Sequence, residues 1–242
     1  MRMLAFAARN TKEILRDPLT VAFSLGFPIV LVLLLSAIQA NIPVSLFEIN
    51  RLAPGVTVFG LSFMTLFSAT LIARDRETAL LARLYTSPLT AADFIIGYML
   101  PIIPISVAQS VICYAVSVPL GMKIIAELLL CVLLIIPISV LFIGIGLLCG
   151  SVLNVKQVGG ICGALLTNLS AWLSGIWFDL DLVGGAFKRV AYALPFVHAV
   201  ELERAAVSGD FAAILPHLAV VLAYAAVITA IAIMLFLRGM RR

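Results

Sequence analysis

The sequence predicts an all-α polytopic membrane protein with six transmembrane helices, and three observations predict it. Hydrophobic residues make up 63% of the 242-residue chain and charged residues 12%, against about 45–50% and about 25% in soluble domains. With a mean hydropathy of +1.19, such a chain could not cover its own surface with polar groups in water. Residues 18–47, 52–73, 94–122, 128–155, 157–178 and 211–237 contain no Asp, Glu, Lys or Arg. Each run can hold the roughly 20 apolar residues that cross about 30 Å of hydrocarbon. The runs are continuous rather than alternating with period two, which excludes a transmembrane barrel. Charged residues punctuate them, as expected when a charge at a helix centre costs roughly 2.5–3.5 kcal/mol. A soluble enzyme, a disordered chain and a disulfide-stapled secreted module are excluded, and residues 1–242 are expected to form a single transmembrane domain.

Orientation follows from the basic residues. With the N-terminus inside, the inner segments hold Arg2, Arg9, Lys12, Arg16, Arg74, Arg76, Arg83, Lys156, Arg238, Arg241 and Arg242, eleven of the sixteen Lys and Arg. Arg51, Lys123, Lys188, Arg189 and Arg204 remain outside, where most acids also fall. Both termini are therefore expected in the cytoplasm. Topology and phospholipid contact account for the net charge of +4, with no nucleic-acid partner. Cys113, Cys131, Cys149 and Cys162 lie in apolar runs without C-x-x-C spacing and read as small core residues. The first apolar run is longer than a signal-peptide core of 7–15 residues, so an uncleaved first helix is expected.

Before that helix, residues 1–17 read as an amphipathic interfacial helix. At 100° per residue Arg2, Arg9, Lys12 and Arg16 share one side, and Leu4, Ala7, Ala8, Ile14 and Leu15 the other, with Phe6 out of pattern. Two readings are open: a positive anchor that fixes topology, or a helix that also contacts a cytoplasmic partner. Residues 74–93, between the second and third runs, are the longest internal cytoplasmic segment. Leu80, Leu81, Leu84 and Tyr85 share one helical face and Arg76 and Arg83 another, until Ser87-Pro88 ends the helix. Thr90 and Asp93 then form a capping box for the third span. A solvated loop and a docking helix for a cytoplasmic protein are both compatible with this segment, and its sidedness favours docking. Residues 179–210, between the fifth and sixth runs, include the apolar stretch 190–200 interrupted by Pro195. Too short to cross, it reads as an outer re-entrant or interfacial helical hairpin packed on protein.

Catalytic constellations are missing from the sequence. His198 and His217 belong to no H-E-x-x-H motif, Ser174-Gly175 is not a nucleophile elbow, and no G-x-x-x-x-G-K-[ST] loop occurs. The spans carry none of the acids and bases that an ion-coupled transporter keeps in the membrane. No enzyme activity, metal or cofactor is expected in this chain, so its driving force is expected from another protein. A membrane scaffold or receptor-like protein that recruits a cytoplasmic partner is the alternative reading.

Two stretches resemble the membrane-spanning permease subunits of type-2 ABC exporters. Arg74-Asp75-Arg76-Glu77 through Leu84, Ser87 and Pro88 is similar to that family's E-R-E-x-G-T-L-x-x-L-x-x-S-P pattern, with Ala79 where Gly is common. Leu194-Pro195 through Arg204 is similar to its outer N-P…R pattern without the Asn, and Asp179-Leu180-Asp181 departs from the Pro usual after span five. The resemblance covers nearly the whole chain. It implies an export subunit in the cytoplasmic (inner) membrane of a prokaryote, paired with a second permease chain and driven by a separate P-loop ATPase subunit that holds ATP and Mg. Residues 74–88 would be the coupling helix. Its docking residues would be Arg74, Asp75, Arg76, Glu77, Leu80, Leu81, Arg83, Leu84, Ser87 and Pro88. Small and polar residues in spans two and five, Ser62, Thr65, Ser68, Thr167, Asn168 and Ser170, would line the path between the two chains. An amphipathic or apolar cargo such as a drug, peptide or lipid fits a path without embedded charge.

Overall fold

Hydrocarbon offers no hydrogen bonds, so a chain this apolar must satisfy its backbone internally, and helices do so segment by segment. In a computed structural model, residues 2–42, 47–78, 90–123 and 127–240 are described; they are largely helical and contain no strand. In chain order they form α1 (Arg2–Leu15), α2 (Pro18–Gln39), α3 (Ile49–Glu77), α4 (Ala91–Met99), α5 (Ile102–Ser117), α6 (Glu127–Val152) and α7 (Val155–Val158). A π-helical segment (Gly159–Leu166), α8 (Thr167–Leu173), α9 (Leu180–Val183), α10 (Gly185–Ala193), α11 (Pro195–Ser208) and α12 (Phe211–Met240) follow.

Among the described residues five stretches are long and apolar enough to cross a membrane: Val21–Gln39, Ile49–Glu77, Ala92–Ser117, Glu127–Val152 and Phe211–Phe236. The third comprises α4 and α5, which meet at Leu100-Pro101. The run 157–178 differs from the expected single α-helix. It is a composite of α7, the π segment and α8 that ends at Leu173. Asn154 and Gln157 cap its start reciprocally, and Gly159, Gly160 and Gly163 disfavour regular α-helix. The wider turn lets Thr167 Oγ1 donate to Cys162 O, five residues back, at 2.9 Å.

α3 is the hub. Its most apolar stretch is 78% buried, against 22% for α2 and 17% for α12, so the last two present most of their surface outward. α3 packs along α6 through small residues. A Cβ on Gly146 would collide with Ser68 Oγ and the Thr65 carbonyl, and one on Gly150 with the Ala69 carbonyl. Close backbone approach is what drives helix association where both lipid and side chains are apolar. Hydroxyls reinforce the contact: Thr65 Oγ1 donates to Phe142 O at 2.8 Å and Ser68 Oγ to Ile143 O at 3.3 Å.

α1 and the last turns of α12 meet at one end of the bundle, the terminal end, where the Phe6 and Phe236 rings each sit 5.6 Å from Phe94. At the far end α10 and α11 form a helix pair that meets at Leu194-Pro195, because Pro195 cannot continue α10 but suits the first turn of α11. Tyr224 Oη of α12 donates to the Ala193 carbonyl that ends α10.

Backbone-limited contacts tolerate no added methyl. Gly146→Ala or Gly150→Ala is expected to lower stability by about 1–3 kcal/mol. Gly159→Ala, where a Cβ meets nothing within 4 Å, is expected to be neutral or mildly stabilising. Thermal unfolding in detergent measures the difference.

Candidate functional site

At the terminal end, one buried carboxylate draws three helices together. Asp75, in the last turn of α3, is 2% exposed. A lone carboxylate so placed would carry a large desolvation cost. Arg9 of α1 approaches it as a fork, with Nη1 2.6 Å from Oδ2 and Nη2 2.8 Å from Oδ1. Tyr98 Oη of α4 donates to Oδ2 at 2.8 Å. The bidentate, charge-assisted geometry sets the rotation of α1 as well as its position.

The neighbouring contacts extend the same junction. Asn10 accepts from Arg9 Nη1 and donates through Nδ2 to the Gly97 carbonyl at 3.0 Å. Phe6 stands edge-on to Phe94 and Tyr98. It occupies the space that a Cβ on Gly97 would need, which explains the glycine in the middle of α4. Glu13 pairs with Arg9 from one turn along; burial pushes its carboxyl above the ordinary range while Arg9 draws it down.

The resemblance made residues 74–88 a docking element, and helical spacing made residues 1–17 a two-sided interfacial helix. The structure places Arg74, Asp75, Arg76 and Glu77 at the end of α3, continuous with the second span. Arg76 Nη1 donates to the Gly150 and Leu153 carbonyls that end α6, at 2.8 and 3.2 Å, and Glu77 Oε1 accepts from Val155 N at the start of α7. Arg74 lies 3.9 Å from Asp17. Arg74, Arg76 and Glu77 remain solvent-exposed, whereas Asp75 does not. Leu80, Leu81, Arg83, Leu84, Ser87 and Pro88 lie outside the described residues. The capping box of Thr90 and Asp93 is present at α4.

α1 has three faces rather than the two expected. Phe6, the residue out of pattern, belongs to the buried face with Ala7, Asn10 and Ile14. Arg9 turns inward to Asp75, Lys12 and Arg16 face solvent, and Leu4, Ala8 and Leu15 are exposed apolar residues. The side chain of Arg2 lies outside the described residues.

Ser62, Thr65 and Ser68 are fully buried within α3's own contacts, and Thr167 and Ser170 are buried as well. Their hydroxyls are spent on carbonyls of the same chain. Of the six expected path residues only Asn168 is exposed, on a face with Ile161, Leu165, Leu169 and Trp172.

The far end has its own buried acid. Glu203 of α11 is completely enclosed and accepts from Tyr114 Oη of α5 at 2.6 Å, leaving Oε1 without a partner. Burial pushes its carboxyl up to about 8, against the opposing pull of the Tyr114 hydrogen bond. Next to it Arg204 donates to Glu201, to the Gly175 carbonyl at 3.0 Å and to the Arg51 carbonyl at 3.4 Å. These bonds tie α11 to the start of α3 and to the turn after α8. Among the described residues no group of three or more His, Cys, Asp or Glu is gathered to hold a metal ion.

The family model for ABC-2 type transporters matches residues 1–207. No curated protein matches the chain at significance. With most of its length matched, the chain belongs to the ABC-2 type transporter family and is a multi-pass permease component of an ABC transporter.

Two outcomes test these clusters. Asp75→Ala leaves Arg9 facing an apolar junction and is expected to cost about 2–3 kcal/mol, below the 3–5 of a fully buried pair because Arg9 is partly exposed. Tyr98→Phe should cost about 1 kcal/mol, and protease accessibility of α1 should rise in Asp75→Ala. The folded chain holds the Glu203 proton more tightly than a free carboxyl at 4.5 would. Stability should therefore fall as pH rises between about 4.5 and about 8. Glu203→Gln should lack that component, as read from thermal midpoints of both proteins across the window.

Proposed function

We propose that this chain is half of the membrane part of an ATP-driven exporter. It pairs with a second copy or a related permease chain, and separate P-loop ATPase subunits, holding ATP and Mg, dock at the terminal end. In this reading both termini face the cytoplasm of a prokaryotic cell, and the cargo is amphipathic or apolar. The observation that carries it is the junction at Asp75. That carboxylate joins α1 to the end of α3 and to α4, the helices that precede and follow residues 79–89 in the chain. A push on that segment would then move α1, α3 and α4 as one body, which a loop without this junction would not transmit.

The face bearing Ile161, Leu165, Leu169 and Trp172 is where the second chain packs. Asn168 on the same face supports this, because an exposed amide is costly against lipid and useful beside a partner or an aqueous path.

Purification from the native host by gentle detergent extraction is expected to bring down a P-loop ATPase in equal stoichiometry, and charge reversal at Glu77 and Arg83 together should reduce both that recovery and transport. Cysteines at Leu165 and Leu169 should crosslink between copies. A homo-oligomer without any ATPase would favour the scaffold reading instead.

A further inference from the structure

His198 of α11 and His217 of α12 face each other at the far end, with their Nδ1 atoms 2.9 Å apart and ring centroids 5.1 Å apart. Nothing in the permease reading uses them. His198 Nε2 lies 3.0 Å from the Tyr192 carbonyl, which can only accept, so this nitrogen carries the hydrogen and Nδ1 of the neutral ring presents a bare lone pair. A single hydrogen, on His217 Nδ1, then bridges two nitrogens that both point at the same spot. Donation of the remote ring N–H to a backbone carbonyl is the arrangement that orients a metal-binding histidine and makes it more basic.

We propose that His198 and His217 form a two-histidine site for a borderline divalent transition ion, with zinc as the reference. Zn–N bonds of about 2.0–2.1 Å at a tetrahedral angle separate the two nitrogens by about 3.4 Å, so the nitrogens part by about half an ångström and each ring tilts by roughly 35° to turn its lone pair from the other nitrogen toward the ion. His217 moves its hydrogen from Nδ1 to Nε2 through solvent, and the ion takes its place between the rings with no net proton change. Water completes the coordination.

Access is provided by an open cavity of about 490 Å³ at the far end, lined by His217, Glu201, Ser208 and Asp210 among others. Arg51, Lys123 and Arg204 also line it, and Arg204 holds the Glu201 carboxylate. The positive charges and the scarcity of free carboxylate disfavour Mg and Ca, which need oxygen ligands. Neutral imidazole suits Zn, Ni and Cu. An ion here would add a coordination link between the helix pair and the last span, beside the bond that Tyr224 makes to the Ala193 carbonyl.

The test is isothermal titration of Zn²⁺ into the full chain, prepared without a polyhistidine tag in phosphatidylcholine nanodiscs, with Mg²⁺ as the control ion. One equivalent per chain is expected, with no Mg²⁺ binding. His198→Gln and His217→Gln should each weaken zinc affinity by about tenfold or more while thermal midpoints without zinc stay close to that of the unaltered chain. X-ray absorption of the intact zinc-loaded protein, which needs no variant to fold, should show two imidazole nitrogens. Absence of saturable binding, equal binding by both variants, or a zinc shell of oxygen alone would overturn the proposal.

Discussion

A carboxylate that cannot reach water governs the terminal end of this molecule. Asp75 is 2% exposed, and an ion in that position persists only if its neighbours replace hydration bond for bond. Arg9 and Tyr98 do so, and each comes from a different helix. The consequence is geometric more than energetic. A bidentate Arg–carboxylate contact admits little rotation, so it fixes how α1 lies on α3 and α4. Phe6, Asn10 and Gly97 then fit around that orientation. The energy of the pair is modest, since Arg9 is partly open to solvent, but no apolar residue at position 75 could impose the same direction.

The rest of the bundle is held by close approach rather than by burial of apolar area, because lipid is as apolar as the side chains it would replace. The glycines of α6 let its backbone meet α3 directly, and hydroxyls in both helices return their hydrogen bonds to carbonyls nearby. This leaves α3 encased and leaves α2, α12 and the composite helix with faces that no other described part of the chain covers. Among the described residues the buried acids are Asp75 at one end and Glu203 at the other, and the two are satisfied differently. Asp75 is paired with a cation, whereas Glu203 has a phenol on one oxygen and nothing on the second, so its neutral form is favoured.

Local patterns in the sequence proved legible where the physics is local. Charge-free runs located the long helices, and Thr90-Asp93 announced the cap of α4 as a spacing of three. Pro195 marked the corner between α10 and α11 for the same reason. Long-range pairings were not legible. Arg9 and Asp75 are 66 residues apart, and a helical wheel could only group Arg9 with the other cations. Phe6, which broke that wheel, was the available signal that α1 has an inward face. The serines and threonine of α3 read as lining because small polar residues both line paths and pack helices; only the position of α6 decides between these uses. The two histidines carried no motif, and their convergence depends on how the α10–α11 pair folds back on α12.

The central claim is that α1, the end of α3 and α4 move as one body. Spin labels at Lys12 on α1 and Ile96 on α4, both exposed, measure it in the assembled transporter by pulsed electron resonance with and without ATP. The account predicts one narrow distance distribution that ATP leaves unchanged in the native sequence and that broadens in Asp75→Asn. A native distance that shifts when ATP binds would contradict it.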